Sequence, residues 1–315
     1  MKKKPFYIHT PILQSHILSQ LIQKKVYLKY ESLQPSGSFK DRGIGLLCQH
    51  YAKEGVKGYI ASSGGNAGMA VAYASQVHHL PATIVIPKTT PHMMVAKLKA
   101  ENAQVIVAGD DWDAADQVAN EMAKTQNLAY IPPFNHPTIW QGYETIIEEL
   151  VKDKIKPDAI LLSVGGGGLY SGIAQGLHRV GWQDVAIITA ETAGAASLAA
   201  SMLAKKRVHL DKIETIAVTL GAKQICQNAF EWTQKHPTYP ETVTDKEAVM
   251  ACLRFADDHR LLVEPACGAS LAVIYEKRAV LQQFHSIVVI VCGGSGVSLS
   301  LFKEWLQQFG LQPIL

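Results

Sequence analysis

The chain contains, at residues 159–179, the stretch AILLSVGGGGLYSGIAQGLHR. Within it, a short apolar run typical of a buried strand ends at four consecutive glycines, residues 165–168, and a helical pattern follows. A glycine turn at the start of a helix exposes several backbone N–H groups and the positive end of the helix dipole, which suits an anion. Because glycine loses much chain entropy on folding, four in a row indicate a specific role. The stretch predicts a strand–turn–helix unit that binds an anionic group.

Two further glycine clusters follow predicted strands, SSGGNAG at residues 62–68 and CGGSG at residues 292–296. Short β-rich runs alternate with helical patterns along the chain, and this alternation predicts parallel sheets with helices on both faces. Ligands of such sheets bind beyond the carboxyl ends of the strands, in the loops that enter the helices. The predicted strands are residues 26–31, 59–62, 82–87, 104–108, 129–132, 159–164, 185–191 and 287–292, and the predicted helices include residues 38–53, 114–124, 138–151 and 299–309.

Length and composition restrict the class of protein. With 315 residues the chain exceeds the roughly 250–300 residues that one core supports, so we expect two lobes. Apolar residues make up 48% and charged residues 18% of the chain, which excludes a disordered chain, a collagen-like repeat and a coiled coil. The net charge of +3 argues against a nucleic-acid partner. Since no signal peptide and no apolar run of membrane-spanning length is found, we expect no membrane partner.

The cysteines and glycines exclude several kinds of site. The five cysteines form no CxxC pair, which argues against a zinc knuckle or a redox pair and fits a reduced, cytoplasmic compartment. A dinucleotide-binding GxGxxG motif is absent, because the sixth position counted from Gly165 is Tyr170. The GxSxG motif of serine hydrolases is not completed, because the fifth position counted from Gly293 is Val297.

A single lysine, Lys40, lies in the frame PSGSFKDRG at residues 35–43. We predict that the helix begins at Ser38 as N-cap, with Asp41 at the third position, so that Lys40 falls in the first helical turn. The helix dipole disfavours the cationic form of a lysine there. An uncharged amine is what a Schiff-base lysine requires, so Lys40 is a candidate for covalent chemistry.

Five motifs follow one another over nearly the whole chain: PSGSFK, SSGGNAGMA, SVGGGGL, EPACGAS and VCGGSG. In this order and near this spacing they resemble the fold-type-II pyridoxal-phosphate enzymes, and among these the short serine dehydratase/threonine deaminase type. The resemblance implies an α/β fold of two lobes, each an open, mostly parallel twisted sheet with helices on both faces, as in the tryptophan synthase β subunit. It also implies pyridoxal 5'-phosphate as cofactor and α,β-elimination of L-serine to pyruvate and ammonia, with L-threonine giving 2-oxobutanoate.

The resemblance assigns roles to residues of this chain. Lys40 matches the lysine that forms a Schiff base with the cofactor and acts as a base on the substrate Cα–H, and Ser63 is the second catalytic candidate. The implied cofactor-binding residues are Phe39, Lys40, Asn66, Gly165, Gly166, Gly167, Gly168, Leu169, Cys292 and Gly293. The implied substrate-binding residues are Ser63, Gly64, Asn66, Ala67 and Glu191. The backbone carbonyls of Gly165, Ala195, Leu220 and Ala222 are implied to bind a monovalent cation such as K⁺.

Three of these positions have alternative interpretations. Cys292 matches the residue that faces the pyridine nitrogen, where a neutral thiol favours prompt loss of a β-substituent; it also fits a buried strand cysteine, and the two are compatible. Gly64 stands where relatives often have alanine, so we expect extra room beside the substrate, unless Gly64 is required for a positive φ. Glu191 is implied to lie near the substrate and the cation, but it also fits a helix N-cap.

The resemblance further implies a homodimer that acts on a small amino acid. It divides the chain into a large cofactor-binding domain, residues 1–38 and 136–315, and a small domain, residues 39–135. Other enzymes of this fold remain open at this point, namely serine racemase, cysteine synthase and threonine synthase. A non-catalytic relative that binds an amino acid as a sensor is a further alternative, against which the presence of Lys40 and of the glycine loops argues.

Overall fold

The computed structural model describes residues 6–311, which divide into two compact units. Unit 1 comprises residues 6–8 and Gln34–Tyr143, and unit 2 comprises His9–Leu33 and residues 144–311. Unit 1 has a four-stranded sheet and unit 2 a six-stranded sheet. The α/β class with two mostly parallel sheets, predicted from the sequence, is confirmed.

The elements of the described residues alternate between strands and helices. The strands are β1 (Ile12–Gln14), β2 (Lys25–Lys29), β3 (Tyr59–Ala61), β4 (Ala82–Ile86), β5 (Gln104–Val107), β6 (Ala129–Tyr130), β7 (Ala159–Ser163), β8 (Ala186–Thr192), β9 (Thr238–Val243) and β10 (Ser286–Ile290). The helices are α1 (His16–Ile22), α2 (Lys40–Lys53), α3 (Asn66–His78), α4 (His92–Ala100), α5 (Trp112–Gln126), α6 (Pro137–Lys152), α7 (Gly168–Arg179), α8 (Ser197–Ala204), α9 (Gln227–Thr233), α10 (Asp245–His259), α11 (Pro265–Tyr275) and α12 (Leu299–Phe309).

The sheet of unit 1 is parallel throughout, with strand order β5-β4-β3-β6. Ile60 of β3 and Val85 of β4 pack against Ala115, Ala119 and Ala123, the small residues that α5 places at helical spacing. The carboxyl end of β3 leads through the glycine cluster 62–68 into α3, and α2 packs against α3. This arrangement puts the SSGGNAG loop at the edge of the sheet where ligands of parallel sheets bind.

The sheet of unit 2 has the order β1-β2-β10-β7-β8-β9, and only the pairing of β1 with β2 is antiparallel. The parallel strands end at the same edge, so the glycine turns after β7 and β10 share that edge. α11 is buried along its whole length against this sheet. Among residues 6–311, no helix combines the length and the apolarity needed to cross a membrane.

The eight predicted strands are all present, as β2 to β8 and β10, and two strands were missed. β1 is only three residues long, and β9 contains Pro240, which argues against a strand in sequence but is tolerated on an edge strand. The predicted N-cap of α2 is wrong by one residue. Phe39 occupies the N-cap position, with helical dihedral angles and no side-chain capping bond, while the Ser38 hydroxyl accepts a hydrogen bond from the Lys40 N–H at 3.4 Å.

The compact units meet along the chain after residues 8, 33 and 143, while the predicted domain boundaries at 38/39 and 135/136 stay a prediction. Residues 6–8 belong to unit 1 because the Phe6 ring packs at a tilt on the His78 ring, with centroids 4.3 Å apart, and the Ile8 backbone is hydrogen-bonded by the Gln34 side chain. The later boundary falls inside α6, after Tyr143, whose ring packs edge-on against Phe39. Which unit binds the cofactor stays a prediction.

Candidate active site

Lys40 is the first residue of α2, so it lies in the first helical turn as predicted. Its Nζ donates a hydrogen bond to the carbonyl of Pro133 at 2.5 Å, and it lies 5.2 Å from the centroid of the Phe39 ring. Both partners belong to unit 1. The structure therefore holds the amine at the start of a helix, between an aromatic ring and a backbone carbonyl.

The turn that carries Lys40 is fixed by Asp41. This buried carboxylate reaches back over the turn and accepts a hydrogen bond from the Ser36 N–H at 2.8 Å. Gly37, between them, has φ of 90°, a left-handed conformation that glycine adopts without strain. The sequence PSGSFKD thus specifies a tight turn that ends in a helix with its lysine at the first position.

The loop at residues 62–67 is the second part of the candidate site in unit 1. Asn66 and Ala67 are the first residues of α3 and are buried, and the Ser63 hydroxyl accepts a hydrogen bond from the Gly65 N–H at 3.3 Å. The Ser63 carbonyl lies so close to Gly68 that a Cβ there would be 1.9 Å from it, so only glycine fits. The loop therefore presents a hydroxyl and N–H groups at a helix N-terminus, a donor set that suits a carboxylate.

The surroundings of Gly64 correct both interpretations of this residue. A Cβ on Gly64 would lie 2.7 Å from Thr90 Cγ2 and 3.2 Å from Ile86 Cγ2, so the side of the loop that a methyl group would occupy is filled by protein. Gly64 is also not among the glycines with a positive φ. Gly64 is glycine here because Thr90 leaves no space for a side chain.

In unit 2, the four glycines after β7 form the start of α7. Gly167 has φ of 87°, and a Cβ on it would lie 2.5 Å from the Cβ of Ala229, so glycine is required on both grounds. The Ser171 N–H donates to the Gly167 carbonyl at 2.9 Å, so the N–H groups before it lie at the open end of a 12-residue helix. Gly168 and Leu169 are buried in the first turn. This donor set fits a phosphate group.

Glu191, in β8, is 0% exposed, and both of its carboxylate oxygens cap α8. They accept the N–H groups of Leu198 and Ala199 at 2.8 Å each. Burial raises the pKa of Glu191 to about 7, and the two N–H bonds oppose that rise. Glu191 is not the N-cap residue of α8, which is Ala196, but its carboxylate accepts N–H groups of the first turn of that helix from the neighbouring strand. The contacts of Glu191 with substrate and cation stay predictions.

The structure brings some of the predicted cation ligands together. A Cβ on Gly165 would lie 3.2 Å from Leu220 Cα, so these two residues are neighbours. The Val164 N–H donates to the Ala190 carbonyl at 2.9 Å, which places the glycine turn beside the end of β8 that carries Glu191. The remaining two lie in short turns of the same unit: Ala195 in Ala193–Ala195, and Ala222, whose N–H donates to the Leu220 carbonyl at 2.8 Å.

Cys292 follows β10 and is buried, and Gly293 accepts a hydrogen bond from the Glu264 N–H at 3.3 Å. A hydrogen bond with the Cys267 thiol, then burial and the charge of Glu264, raise the pKa of Cys292 well above its ordinary value. The thiol is therefore neutral at physiological pH. Such a group suits an aromatic ring nitrogen that carries no proton.

The sequence analysis singled out neither Thr90 nor the side chain of Glu264. Glu264 is buried and accepts hydrogen bonds from the Thr219 hydroxyl at 3.0 Å and the Gly296 N–H at 3.2 Å. It thereby joins the turn before Leu220 to the loop after Cys292. The sequence pattern that could have indicated Glu264 is its position directly before Pro265, because proline is common at the first position of a helix.

Comparisons with known proteins agree with the resemblance. A family model described as pyridoxal-phosphate dependent enzyme matches residues 3–293. The chain is 46% identical to the L-serine dehydratase/L-threonine deaminase of Homo sapiens, over 99% of this chain and 98% of that protein. It is 45% identical to the L-serine dehydratase of Dictyostelium discoideum, over 96% of this chain and 92% of that protein. The crystal structure of an L-serine ammonia-lyase from Rhizomucor miehei superposes with a TM-score of 0.92 at 34% identity, covering 97% of this chain and 100% of that chain.

Proposed function

The chain belongs to the family of pyridoxal-phosphate dependent enzymes, and on that premise we propose that it is a lyase that converts L-serine to pyruvate and ammonia. L-Threonine, converted to 2-oxobutanoate and ammonia, is the second substrate. The observation that carries the proposal is the similarity over nearly the whole chain to relatives named for this reaction. The donor sets of the two units support it, one suited to a carboxylate and one to a phosphate.

Pyridoxal phosphate supplies an electron sink for negative charge at the substrate α-carbon. The residues present fit this cofactor. Lys40 offers an amine at a helix start for covalent attachment, the N–H groups of the glycine loop suit the phosphate, and the neutral thiol of Cys292 suits the pyridine nitrogen. The residues proposed to bind the cofactor are Phe39, Lys40, Asn66, Gly165, Gly166, Gly167, Gly168, Leu169, Cys292 and Gly293.

Lys40 and the loop after β3 perform the steps that this chain supplies. The Lys40 amine removes the proton from the substrate Cα, which requires that its pKa fall from the reference of about 10.4. The Ser63 hydroxyl, the Asn66 side chain and the N–H groups of Gly64 and Ala67 bind the substrate carboxylate. Binding at this loop orients the Cα–H bond towards the amine. The β-hydroxyl then takes up a proton and leaves as water, and hydrolysis of the released enamine gives pyruvate and ammonia.

A monovalent cation such as K⁺ is part of the proposal. Its ligands would be the backbone carbonyls of Gly165, Ala195, Leu220 and Ala222, with the carboxylate of Glu191 beside them. Glu191 uses one lone pair of each oxygen on α8, and a carboxylate has about four in total. A bound cation would lower the pKa of this buried carboxyl and keep it ionised.

The proposal extends to the whole protein. The large domain proposed to bind the cofactor is residues 1–38 and 136–315, and the small domain is residues 39–135. We expect a homodimer, which size-exclusion chromatography with light scattering tests. The five cysteines are free and buried, as expected for a protein of the cytoplasm.

The test is keto-acid formation by the purified protein loaded with pyridoxal phosphate. With L-serine and L-threonine, we expect pyruvate and 2-oxobutanoate, each with an equal amount of ammonia, and a higher rate in K⁺ than in Na⁺. D-Serine is measured by chiral chromatography, and cysteine is measured after sulfide addition. D-Serine or cysteine as the main product would replace the lyase by a racemase or a synthase, and a cofactor-loaded protein without turnover would point to a sensor.

Lys40→Ala tests the covalent attachment independently of turnover. Borohydride reduction should add the cofactor mass to the peptide that contains Lys40 in the wild type, and no such mass should appear in the variant. Lys53→Ala, at the exposed end of the same helix, is the control and should behave as the wild type. A Lys40→Ala protein that dehydrates L-serine at the wild-type rate would overturn the assignment.

A further inference from the structure

Unit 1 contains a polar cluster behind the carboxyl end of β3, which we call the Asp116 cluster: Ser62, Asp116, Asn120 and Tyr130. Oδ1 of Asp116, in the middle of α5, accepts hydrogen bonds from the Ser62 hydroxyl at 2.5 Å and from the Tyr130 hydroxyl. Oδ2 accepts one from the Asn120 amide at 3.0 Å. Ser62 is 0% exposed, and the other three are half-buried. One carboxylate therefore collects three side-chain donors.

The cluster joins three elements of unit 1. Ser62 directly follows β3, Tyr130 ends β6 beside it with Ile60 opposite Tyr130, and Asp116 belongs to α5. Burial and the bond to Asp116 both raise the pKa of Tyr130, so its hydroxyl stays protonated and donates. Hydrogen bonds to a charged acceptor are stronger than neutral ones. Asp116 thus fixes the point where the chain leaves β3.

The composition of α5 argues that this arrangement has a role. The neighbouring positions Ala115 and Ala119 belong to the apolar core under the sheet. Aspartate and asparagine are poor residues for a helix interior, because their side chains compete for backbone hydrogen bonds. Asp116 and Asn120 nonetheless occur there at a spacing of four. The hydrogen bond between Asp116 and Ser62 offsets the cost of these two residues to helix stability.

Because Ser62 directly precedes the substrate loop, its position constrains the start of that loop. Ser63 follows it, and the Ser63 carbonyl lies against Gly68 of α3, with no room for a side chain between them. Thr90 lies on the side of Gly64 where a Cβ would be. Because protein atoms lie on both sides of the loop, we infer that the bond of Ser62 to Asp116 helps to fix where the Ser63 hydroxyl and the loop N–H groups point.

We propose that Asp116 is a positioning residue for the loop at residues 63–67, which it orients through Ser62 without touching the substrate. The role of this loop in binding the amino-acid carboxylate rests on the proposed function. In the absence of Asp116, the hydroxyls of Ser62 and Tyr130 lose their acceptor and the loop loses its anchor. Affinity for the carboxylate then falls, while the cofactor loses less affinity, because most of the residues proposed to bind it lie outside this loop.

Kinetics and binding of variants test the proposal. Asp116→Ala should raise the KM for L-serine about tenfold, equivalent to about 1.4 kcal/mol, with kcat within about twofold. The dissociation constant of glycine, a substrate analogue without a leaving group, should rise equally in a titration followed by cofactor absorbance, while cofactor affinity should change by less than about threefold, since Asn66 is the one proposed cofactor-binding residue in the loop. Asp116→Asn, which keeps one acceptor oxygen, should recover most of the loss. Glu121→Gln, exposed on the same helix, is the matched control and should match the wild type.

Two further variants identify the path of the effect. Ser62→Ala should reproduce the rise in KM of Asp116→Ala, and the double variant should be no worse than either single one, because both remove the same bond. Tyr130→Phe removes a bond that does not lead to the loop and should change KM less. Additive losses in the double variant would show that Asp116 acts by another route and would overturn the proposal.

Hydrogen exchange gives a readout that does not depend on catalysis. In the cofactor-loaded protein, the peptide covering residues 59–70 should exchange faster in Asp116→Ala than in the wild type or Glu121→Gln. A parallel loss of kcat, cofactor affinity and thermal stability, with unchanged exchange of this peptide, would make Asp116 a purely structural residue. If the wild type does not turn over L-serine, faster exchange still supports the anchor, and the failure belongs to the proposed function.

Discussion

Two neighbours and burial raise the pKa of the Cys292 thiol above its ordinary value, so that the thiol stays uncharged. Cys267 shares a hydrogen bond with it, and the carboxylate of Glu264 disfavours a second negative charge nearby. Both neighbours come from the EPACGAS motif, at the start of α11. A residue at position 292 therefore has to be small, neutral and capable of hydrogen bonding.

We expect Cys292→Ser to keep most of the wild-type kcat/KM and Cys292→Asp to lose more than about tenfold, about 1.4 kcal/mol. Serine is neutral and bonds to Cys267, whereas aspartate adds a charge beside Glu264 and would favour a protonated ring nitrogen. Keto acid and D-serine are measured together, because a stronger electron sink favours racemisation. Cys48→Ser, a buried cysteine of unit 1, is the control. An aspartate variant with the wild-type rate and products would refute this account.

For Gly64, we expect that alanine lowers kcat/KM for L-serine and L-threonine equally, by about tenfold, since overpacking costs about 1–3 kcal/mol. The added Cβ meets Thr90 Cγ2, which pushes the loop that binds the carboxylate common to both substrates. Thr90→Ser removes that methyl group, so the double variant should regain most of the loss. A changed ratio of serine to threonine turnover, or no rescue by Thr90→Ser, would contradict the packing explanation.

The residues of the site that were predicted belong to local sequence patterns. Those that were missed contact partners at large sequence separation. The first-turn position of Lys40 and the glycine loop after β7 were predicted because both are local patterns. The neighbours of Gly64 were not, because Thr90 approaches it from 26 residues further along the chain. Asp116 and Ser62 are 54 residues apart and meet only once the sheet has formed.

At the scale of elements, a histidine pair joins the end of α7 to the segment after α9. His178 Nε2 lies 3.2 Å from His236 Nδ1, and the His178 ring packs on Trp232 with centroids 4.7 Å apart. Burial, followed by the proximity of His178, lowers the pKa of His236 to about 4. The contact is stable only while His236 is neutral.

This gives a pH dependence with a definite sign. Because folding lowers the pKa of His236 below the unfolded value of about 6.5, the stabilisation is present above pH 6.5 and is lost as the pH falls towards 4. His236→Phe should reduce this acid loss by about 2 kcal/mol. Urea unfolding of the wild type and the variant at pH 7.5 and 4.5 measures the difference. Equal losses in both proteins would assign the acid sensitivity to other groups.

Element prediction succeeded wherever hydrophobic pattern and burial agreed. All central strands of both sheets were found, since a strand covered on both faces reads as an apolar run. The two missed strands, β1 and β9, are the edges of the six-stranded sheet, where half the backbone is unpaired and the pattern is weak. Edge strands are defined by their neighbours, and those are known only after folding.

At the scale of the molecule, unit 2 encloses a buried ion pair. Lys29 of β2 and Glu149 of α6 are 0% and 4% exposed in their side chains, with Nζ 2.5 Å from Oε2. The same Nζ donates to the Thr10 carbonyl at 2.7 Å. The pair joins β2 to α6 inside unit 2.

Replacing one partner of this ion pair should lower the free energy of unfolding more than replacing both partners. Lys29→Met should lower the free energy of unfolding by about 3–5 kcal/mol, because the buried Glu149 carboxylate loses the ammonium group of Lys29. The double variant Lys29→Met/Glu149→Met should recover most of that loss, since two apolar side chains replace two charges. Urea unfolding monitored by circular dichroism provides both values. A double variant as unstable as the single one would show that the pair itself, rather than the unpaired charge, carries the stability.

The order of strands in unit 2 has a consequence for biosynthesis. β2 lies beside β10, with Lys25 opposite Ser286, 261 positions later in the chain. On the ribosome, β2 can pair early with β1, but its other edge stays unpaired until nearly all of the polypeptide has emerged. Gln34–Tyr143, in contrast, is one continuous stretch of unit 1 whose partners are all synthesised early. Such long separations slow folding, and an open strand edge invites pairing with other chains. The interval between the emergence of β2 and that of β10 is therefore when this protein most needs a chaperone.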